Sequence, residues 1–112
     1  MNEIESVLRY SELLTIYQNL LSKAQREMLE DYYLCNLSFS EIAENRQISR
    51  SAVEDAIKKG KKKLDLFEEE ICSLKAINAL RELKQKDIGG ELKKEIEDIE
   101  RILHHGIWII EW

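Results

Sequence analysis

Basic side chains are concentrated in one short stretch of the chain. Residues 47–63 carry six basic and two acidic side chains, although the whole chain has a formal net charge of −5. Lysine and arginine neutralise phosphates, and arginine can also bind guanine through two hydrogen bonds. Because binding depends on the local field more than on the total charge, this stretch indicates a nucleic-acid partner.

The same stretch has the layout of two helices joined by a tight turn. Ser38 and Glu41 have the spacing of a capping box, and Ser49 has the position of the N-cap of a second helix. This layout is that of a helix-turn-helix, in which the second helix meets the major groove. Val53 and Ile57 are expected to face inward and hold the second helix against the first. The outward-facing residues are therefore predicted to contact nucleic acid: Arg50, Ser51, Glu54, Lys58, Lys59, Lys61, Lys62 and Lys63.

Two observations keep another interpretation of this stretch open. The lysines could form a solvated face, with Lys61 paired to Asp65 and Lys63 paired more loosely to Glu68. The adjacent acids Glu54 and Asp55 would repel phosphates, although a glutamate can accept a hydrogen bond from cytosine N4.

Apolar periodicity predicts the helices that support this segment. A first helix is expected over about residues 2–20. A second helix is expected from Ser22, which has capping-box spacing to Gln25, to about residue 36, with Ala24 facing inward. Ile48 should plug the turn into the core, and Gly60 marks either close packing or a bend. The predicted inner stripes are Ile4, Val7, Leu8, Leu14, Tyr17 and Leu21 in the first helix, and Val53, Ile57, Leu64, Phe67 and Ile71 in the fourth.

The remainder of the chain has the pattern of a helical hairpin. One apolar stripe runs from Ile71 to Leu83, residues 87–90 interrupt it, and a coiled-coil-like seam follows. The last seven residues, GIWIIEW, are dense in large apolar groups and should dock on something. We expect a second copy or another partner to contact the following residues: Leu92, Ile96, Ile99, Leu103, Trp108 and Trp112.

The composition supports an all-α fold. The chain has 112 residues, no proline and four glycines, which favours long helices over a turn-rich β fold. We predict a helix-turn-helix bundle over 1–66, followed by a long helix and helical hairpin over 67–112. No apolar run is long enough for a membrane span, so a cytoplasmic protein follows by elimination. Cys35 and Cys72 are expected to be reduced and partly buried.

Nothing in the sequence points to an enzyme, a metal site or a cofactor. No nucleophile lies in a recognisable arrangement with a base. His104 and His105 are adjacent, so on a helix they point about 100° apart and make poor joint metal ligands. Gly89-Gly90 lacks the lysine and the preceding strand of a phosphate-binding loop.

Residues 38–64 resemble the helix-turn-helix of sigma-factor region 4, through S-x-x-E-I-A, S-R-x-x-V and K-K-L. Residues 1–74 are similar to the YlxM family of small bacterial proteins, whose genes lie beside that of the signal recognition particle GTPase. The residues that carry this similarity are Tyr17-Gln18, Leu20-Leu21-Ser22, Gln25-Arg26, Tyr32-Tyr33-Leu34, Ser40-Glu41-Ile42-Ala43-Glu44, Ile48-Ser49-Arg50, Ala52-Val53, Asp55 and Ile57-Lys58.

The resemblance implies a DNA-binding regulator connected with the signal recognition particle pathway, and a homodimer is expected. The alternative is an adaptor that binds the particle or its GTPase through the C-terminal hairpin, without binding DNA. Two positions depart from the pattern. Gln47 stands where glycine is common, so a left-handed turn there would cost about 1–2 kcal/mol. Arg46 replaces an apolar residue, so the helix before the turn is expected to end loosely.

Overall fold

A computed structural model describes residues 2–105, with side chains to residue 104, and places six α-helices in that range. A 3-10 turn at Gln18–Leu20 follows the first helix, and no strand occurs within these residues. The prediction of an all-α fold is confirmed. The helices are α1 (Glu3–Tyr17), α2 (Lys23–Tyr33), α3 (Phe39–Arg46), α4 (Arg50–Ile71), α5 (Ser73–Lys84) and α6 (Gly90–His105).

The core is formed around α4, which packs against α1, α2 and α3. Val53, Ile57 and Leu64 of α4 are buried, as predicted for its inner stripe. Leu74 and Ile77 of α5 belong to the same apolar cluster, and Leu103 of α6 packs against it. One core therefore continues past residue 66, where the sequence suggested a domain boundary.

Three serines fix where α2, α3 and α4 begin. The hydroxyl oxygens of Ser22, Ser38 and Ser49 each accept a hydrogen bond from the backbone N–H three residues later. An N-cap of this kind satisfies one of the orphan donors at a helix start. In the described residues only the Ser38 cap is a complete capping box, because Gln25 does not return a bond to Ser22 and its Oε1 atom is buried without a partner.

The stripe predicted for the first helix is correct in its second half, where Leu14, Tyr17 and Leu21 are buried, and wrong in its first half. Tyr10, Leu13 and Ile16 are buried, whereas Ile4 is 72% exposed and Leu8 is also exposed. On a helix of 3.6 residues per turn, Ile4 and Leu8 lie roughly 120–160° around the axis from Tyr10. The first half of α1 carries more apolar residues than its contact face can cover, so periodicity alone selected the wrong residues there.

Several other predicted burials were wrong. Ile48 is exposed and does not plug the turn, Ala24 faces solvent, and Ile71 is exposed beside the break that ends α4. Cys35 and Cys72 are free thiols, as predicted, but both are exposed instead of partly buried.

Gly60 allows close contact between α4 and α2. It is buried, and a Cβ atom built on it would lie 2.7 Å from Cδ1 of Leu29. α4 runs through residue 60 as one helix. Of the two sequence-based interpretations of this glycine, close packing is the one that the structure supports.

A side-chain network sets the joint between α4 and α5, which the sequence did not signal. Cys72 has a left-handed backbone (φ 61°), so the two helices are separate although a single residue divides them. The Glu68 carboxylate accepts hydrogen bonds from the N–H groups of Leu74 (3.1 Å) and Lys75 (3.0 Å). The Tyr17 hydroxyl donates to the same carboxylate at 2.6 Å and accepts from the Ser73 N–H.

This joint should weaken at alkaline pH. Burial, followed by the hydrogen bond to Glu68, raises the pKa of Tyr17 to about 12, against about 10 in an unfolded chain. The stability that the neutral hydroxyl contributes is therefore complete below pH 10 and is lost as pH rises from about 10 to 12, because the unfolded chain releases this proton first. Urea unfolding at several alkaline pH values should show this decline, and Tyr17→Phe should reduce it. An equally steep decline in the variant would contradict the assignment.

Within residues 2–105, none of the helices is both long enough and apolar enough to cross a membrane.

Candidate nucleic-acid interface

α3, a three-residue turn and α4 form the helix-turn-helix unit. Gln47 ends α3 in a left-handed conformation (φ 56°, ψ 45°). A non-glycine residue is strained in this conformation, as expected from the sequence for a left-handed turn at this position. The Ile48 N–H donates to the Ala43 carbonyl at 3.1 Å and closes the turn. Ala43 is a buried residue of α3, which packs against α4.

Arg46 locks the end of α3 onto α2, so the expectation of a loose end was wrong. Its guanidinium donates to Asp31 at 2.7 and 2.9 Å and to Glu27 at 3.3 Å. The hydrogen bonds to Asp31, opposed in part by burial, raise the pKa of Arg46 further above its ordinary value. These acids lie 15 and 19 positions earlier in the chain, and only the folded arrangement of α2 and α3 brings them to the arginine.

The capping box at the start of α3 holds Glu41 in its charged form. Its carboxylate accepts the Ser38 N–H at 2.9 Å, and the Ser38 hydroxyl accepts the Glu41 N–H at 3.1 Å. The bond from the Ser38 backbone is the main reason that the pKa of Glu41 is lowered. α3 therefore begins at a defined residue, as α4 does after Ser49.

The predicted contact residues lie on two sides of α4. Arg50, Ser51 and Glu54 are exposed in its first turns. Lys58 and Lys62 follow Ser51 at intervals of seven and eleven residues, which places the three on one line along the helix. Lys61 flanks this line. Lys59 and Lys63 lie about 100° away from Lys58 and Lys62, on the other side of the helix.

The acids near these lysines are paired differently from the sequence-based expectation. Asp65 accepts from the Tyr10 hydroxyl (2.8 Å) and from Arg9 (3.4 Å), instead of from Lys61. The Lys61 ammonium lies over the Tyr10 ring, 4.9 Å from its centroid. Glu68 belongs to the α4–α5 joint, so the proposed Lys63–Glu68 pair was wrong as well.

One acid on the outer face is neutralised locally. Asp55 pairs with Lys59 at 2.9 Å, one helical turn away. Within residues 2–104, Arg50, Lys58, Lys62 and Lys63 take part in no ion pair. The outer side of α4 therefore offers cations that no acid of the described chain occupies, although Glu54 stays among them.

The N-terminus of α4 also has backbone donors to offer. The Ser49 hydroxyl accepts the Ala52 N–H at 3.0 Å, and the Ser49 carbonyl accepts the Val53 N–H at 3.2 Å. The N–H groups of Arg50 and Ser51 have no partner within the described residues. Free N–H groups and the helix dipole favour a phosphate at such an end.

The residues predicted to meet a partner on α6 divide between inside and outside. Ile96 is 3% exposed, so it is covered within the monomer, and Leu103 packs against the core. Leu92 and Ile99 are exposed. Ile102, which is not among the predicted contact residues, is exposed as well. Trp108 and Trp112 lie outside the described residues. The exposed members form an edge of α6 beside the buried positions.

Comparison with known proteins agrees with the fold. Residues 4–103 match the family described as "Putative helix-turn-helix protein, YlxM / p13 like" (UPF0122). The chain belongs to the UPF0122 family. It is 38% identical to the UPF0122 protein of Malacoplasma penetrans over 98 residues, which are 88% of this chain and 82% of the relative.

UPF0122 proteins of the genus Bacillus are similar over a comparable span. The relative from Bacillus cereus strain AH187 is 33% identical over 108 residues, covering 88% of this chain and 98% of its own length. The relative from Bacillus anthracis strain A0248 has the same identity and coverage. No solved structure is matched.

Proposed function

We propose that this UPF0122 protein is a cytoplasmic DNA-binding regulator that reads duplex DNA with α3 and α4. The observation that carries the proposal is the exposure of Arg50, Ser51 and Glu54 at the start of α4. The buried residues of α4 face α1, α2 and α3 on the opposite side. No described part of the C-terminal half covers the outer face, so a groove can reach it.

The positions along α4 suggest a division of roles. Arg50 is placed to bind a guanine edge and Ser51 to donate to a base or a phosphate, because the first turn of a recognition helix lies deepest in the major groove. Glu54 would accept from cytosine N4. Lys58 and Lys62, on the same line as Ser51, would neutralise phosphates as the helix leaves the groove.

A homodimer would give this unit two half-sites. The exposed edge of α6, formed by Leu92, Ile99 and Ile102, is apolar and lies on a helix that belongs to no part of the helix-turn-helix. Two copies related by a two-fold axis would hold their recognition helices at a fixed separation, which favours a palindromic site.

Salt dependence tests the DNA proposal directly. Duplexes enriched from a random-sequence pool should bind with an affinity that falls steeply with salt, by a slope of about −0.9 for each phosphate neutralised. Lys62→Gln should weaken binding and reduce the magnitude of the slope by about 1. Arg50→Ala should cost about 1–3 kcal/mol and relax the preference at one base pair.

Lys93→Gln is the matched control, because Lys93 is an exposed lysine on α6, away from α4. It should leave the affinity and the slope unchanged. Failure of the wild-type protein to bind any duplex at low salt would overturn the proposal. Equal effects of the Lys62 and Lys93 substitutions would overturn the assigned face.

The exposed edge of α6 supports a second candidate, an adaptor that binds the signal recognition particle or its GTPase. In that case Ile99→Asp should abolish capture of the purified GTPase, and the wild-type protein should show no duplex binding. If Ile99→Asp instead converts a dimer to a monomer in light scattering and weakens duplex binding, the edge serves the dimer and the regulator is favoured.

A further inference from the structure

A cleft of about 640 Å³ runs along the side of α4, bounded by the first half of α1, the end of α2 and the start of α3. Small-molecule sites have volumes of roughly 300–1,000 Å³ and are mostly apolar with a few polar groups. The apolar part of this cleft is formed by Val7, Tyr10, Tyr32, Tyr33, Phe39 and Ile57.

The aromatic residues of the cleft are already ordered against one another. Tyr32 and Phe39 are stacked with their ring centroids 4.8 Å apart, and Tyr33 meets Tyr32 edge to face at 4.9 Å. Tyr32 and Phe39 are half-buried, so each keeps part of its surface for a further contact. The wall is therefore a preformed apolar surface, which lowers the entropic cost of binding a ligand there.

Tyr33 brings an unused polar group into this wall. The residue is only 6% exposed, yet its hydroxyl makes no hydrogen bond with any described residue. The hydroxyl is also not among the polar atoms sealed from solvent. Burial, with smaller contributions from Tyr32, Tyr10 and Asp65, raises the pKa of this hydroxyl, which keeps it protonated as a donor. Tyr33 and these three neighbours all line the cleft.

The rim of the cleft has more cations than free acids. Lys58, Lys61 and Lys62 line it, together with Glu3, Glu54 and Asp65. Asp65 is paired with Arg9 and holds the Tyr10 hydroxyl, so its charge is already compensated. Two acids then face three lysines, and this excess favours an anionic group over a cationic one.

We propose that this cleft binds a small molecule that has a flat apolar body and a single anionic group. The body would lie against Tyr32 and Phe39, the Tyr33 hydroxyl would donate to an acceptor atom of the ligand, and the anion would meet Lys58 and Lys62 at the rim. The sequence-based interpretation missed this arrangement because its members come from four helices and lie up to about sixty positions apart.

Binding in the cleft would also affect the recognition helix. Lys58 and Lys62 belong both to the rim and to the line proposed to contact phosphates, so ligand and DNA would each lower the affinity for the other by the same factor. This consequence rests on the proposed DNA-binding function. The ligand site itself does not, and the test below contains no DNA.

Three naphthalene probes of the same body size can test the site: 1-naphthoate, 1-naphthalenemethanol and 1-naphthylmethylammonium. Each is titrated into the full-length protein and followed by backbone amide chemical shifts. The naphthoate should bind tightest, about tenfold tighter than the ammonium for one favourable charge contact near the surface. The shifts should centre on Tyr33, Phe39 and Lys62.

Paired variants separate the cleft from other apolar surfaces. Val7→Trp places a large ring in the cleft and should weaken naphthoate binding at least about tenfold, as expected when a pocket of this kind is filled. Leu8→Trp lies in the same turn of α1 but is exposed outside the cleft, so it should leave the affinity unchanged. Lys62→Gln should weaken binding of the naphthoate but not of the alcohol, whereas Lys63→Gln should affect neither.

The proposal is overturned if the wild-type protein binds none of the probes, or if the ammonium binds as tightly as the naphthoate. It is also overturned if the shifts centre on Ile4 and Leu8 or on α6. If the protein binds naphthoate normally but does not bind duplex DNA, only the proposed DNA-binding function is overturned.

Discussion

Replacing Gly60 with valine should lower the free energy of unfolding by about 3 kcal/mol. The first added carbon would lie 2.7 Å from Cδ1 of Leu29 and 3.0 Å from its Cγ. Leu29 is fully buried, so it has little room in which to move. Overpacking of a core site costs about 1–3 kcal/mol and occasionally more. The better helix propensity of valine offsets less than 1 kcal/mol of that cost. Urea unfolding followed by circular dichroism measures the change.

A double-mutant cycle identifies the contact that causes the loss. Leu29→Ala alone should cost about 2–5 kcal/mol through the cavity that it leaves. In the double variant the added valine fills part of that cavity, so the combined loss should be smaller than the sum of the two. Gly89→Val is the control, because nothing lies within 4 Å of a Cβ atom there. Additive losses would show that the strain arises elsewhere.

Local signals predicted the helix-turn-helix well, because its boundaries depend on residues close in sequence. Ser38 and Glu41 are three positions apart, as are Ser49 and the amide that it caps. These caps fix where α3 and α4 begin. The exposure of Arg50 and Ser51 follows from the position of Ser49 together with the apolar stripe of Val53, Ile57 and Leu64, which is buried on the opposite side of α4.

Local signals failed where distant residues decide the outcome. The Tyr17–Glu68 bond joins positions 51 apart and supports a helix break at Cys72, a residue type with no preference for a left-handed backbone. Asp65 is taken by Arg9 and Tyr10, which lie 56 and 55 positions earlier, so its local pairing with Lys61 does not form. In α1, periodicity indicated a helix but could not choose between Leu8 and Leu13 as the buried side.

Replacing Glu68 with glutamine should lower the free energy of unfolding by about 2 kcal/mol. The carboxylate accepts bonds from the Tyr17 hydroxyl and from the N–H groups of Leu74 and Lys75. Hydrogen bonds to a charged group contribute about 1.5–3 kcal/mol each, and a glutamine amide must turn its own NH₂ toward at least one of these donors. The variant also loses the negative charge beside the N-terminus of α5, which interacts favourably with the helix dipole.

Glu69→Gln provides the matched control, since Glu69 is the next residue, is exposed, and accepts no side-chain bond from α5. The Glu68 variant should also speed hydrogen exchange at the amides of Leu74 and Lys75, because they lose their acceptor while the α3–α4 turn is untouched. Equal stability of the two variants would mean that the joint is held by apolar packing of Leu74 and Ile77. If instead the amides exchange faster while the overall stability is unchanged, Glu68 positions the start of α5 without holding the core together.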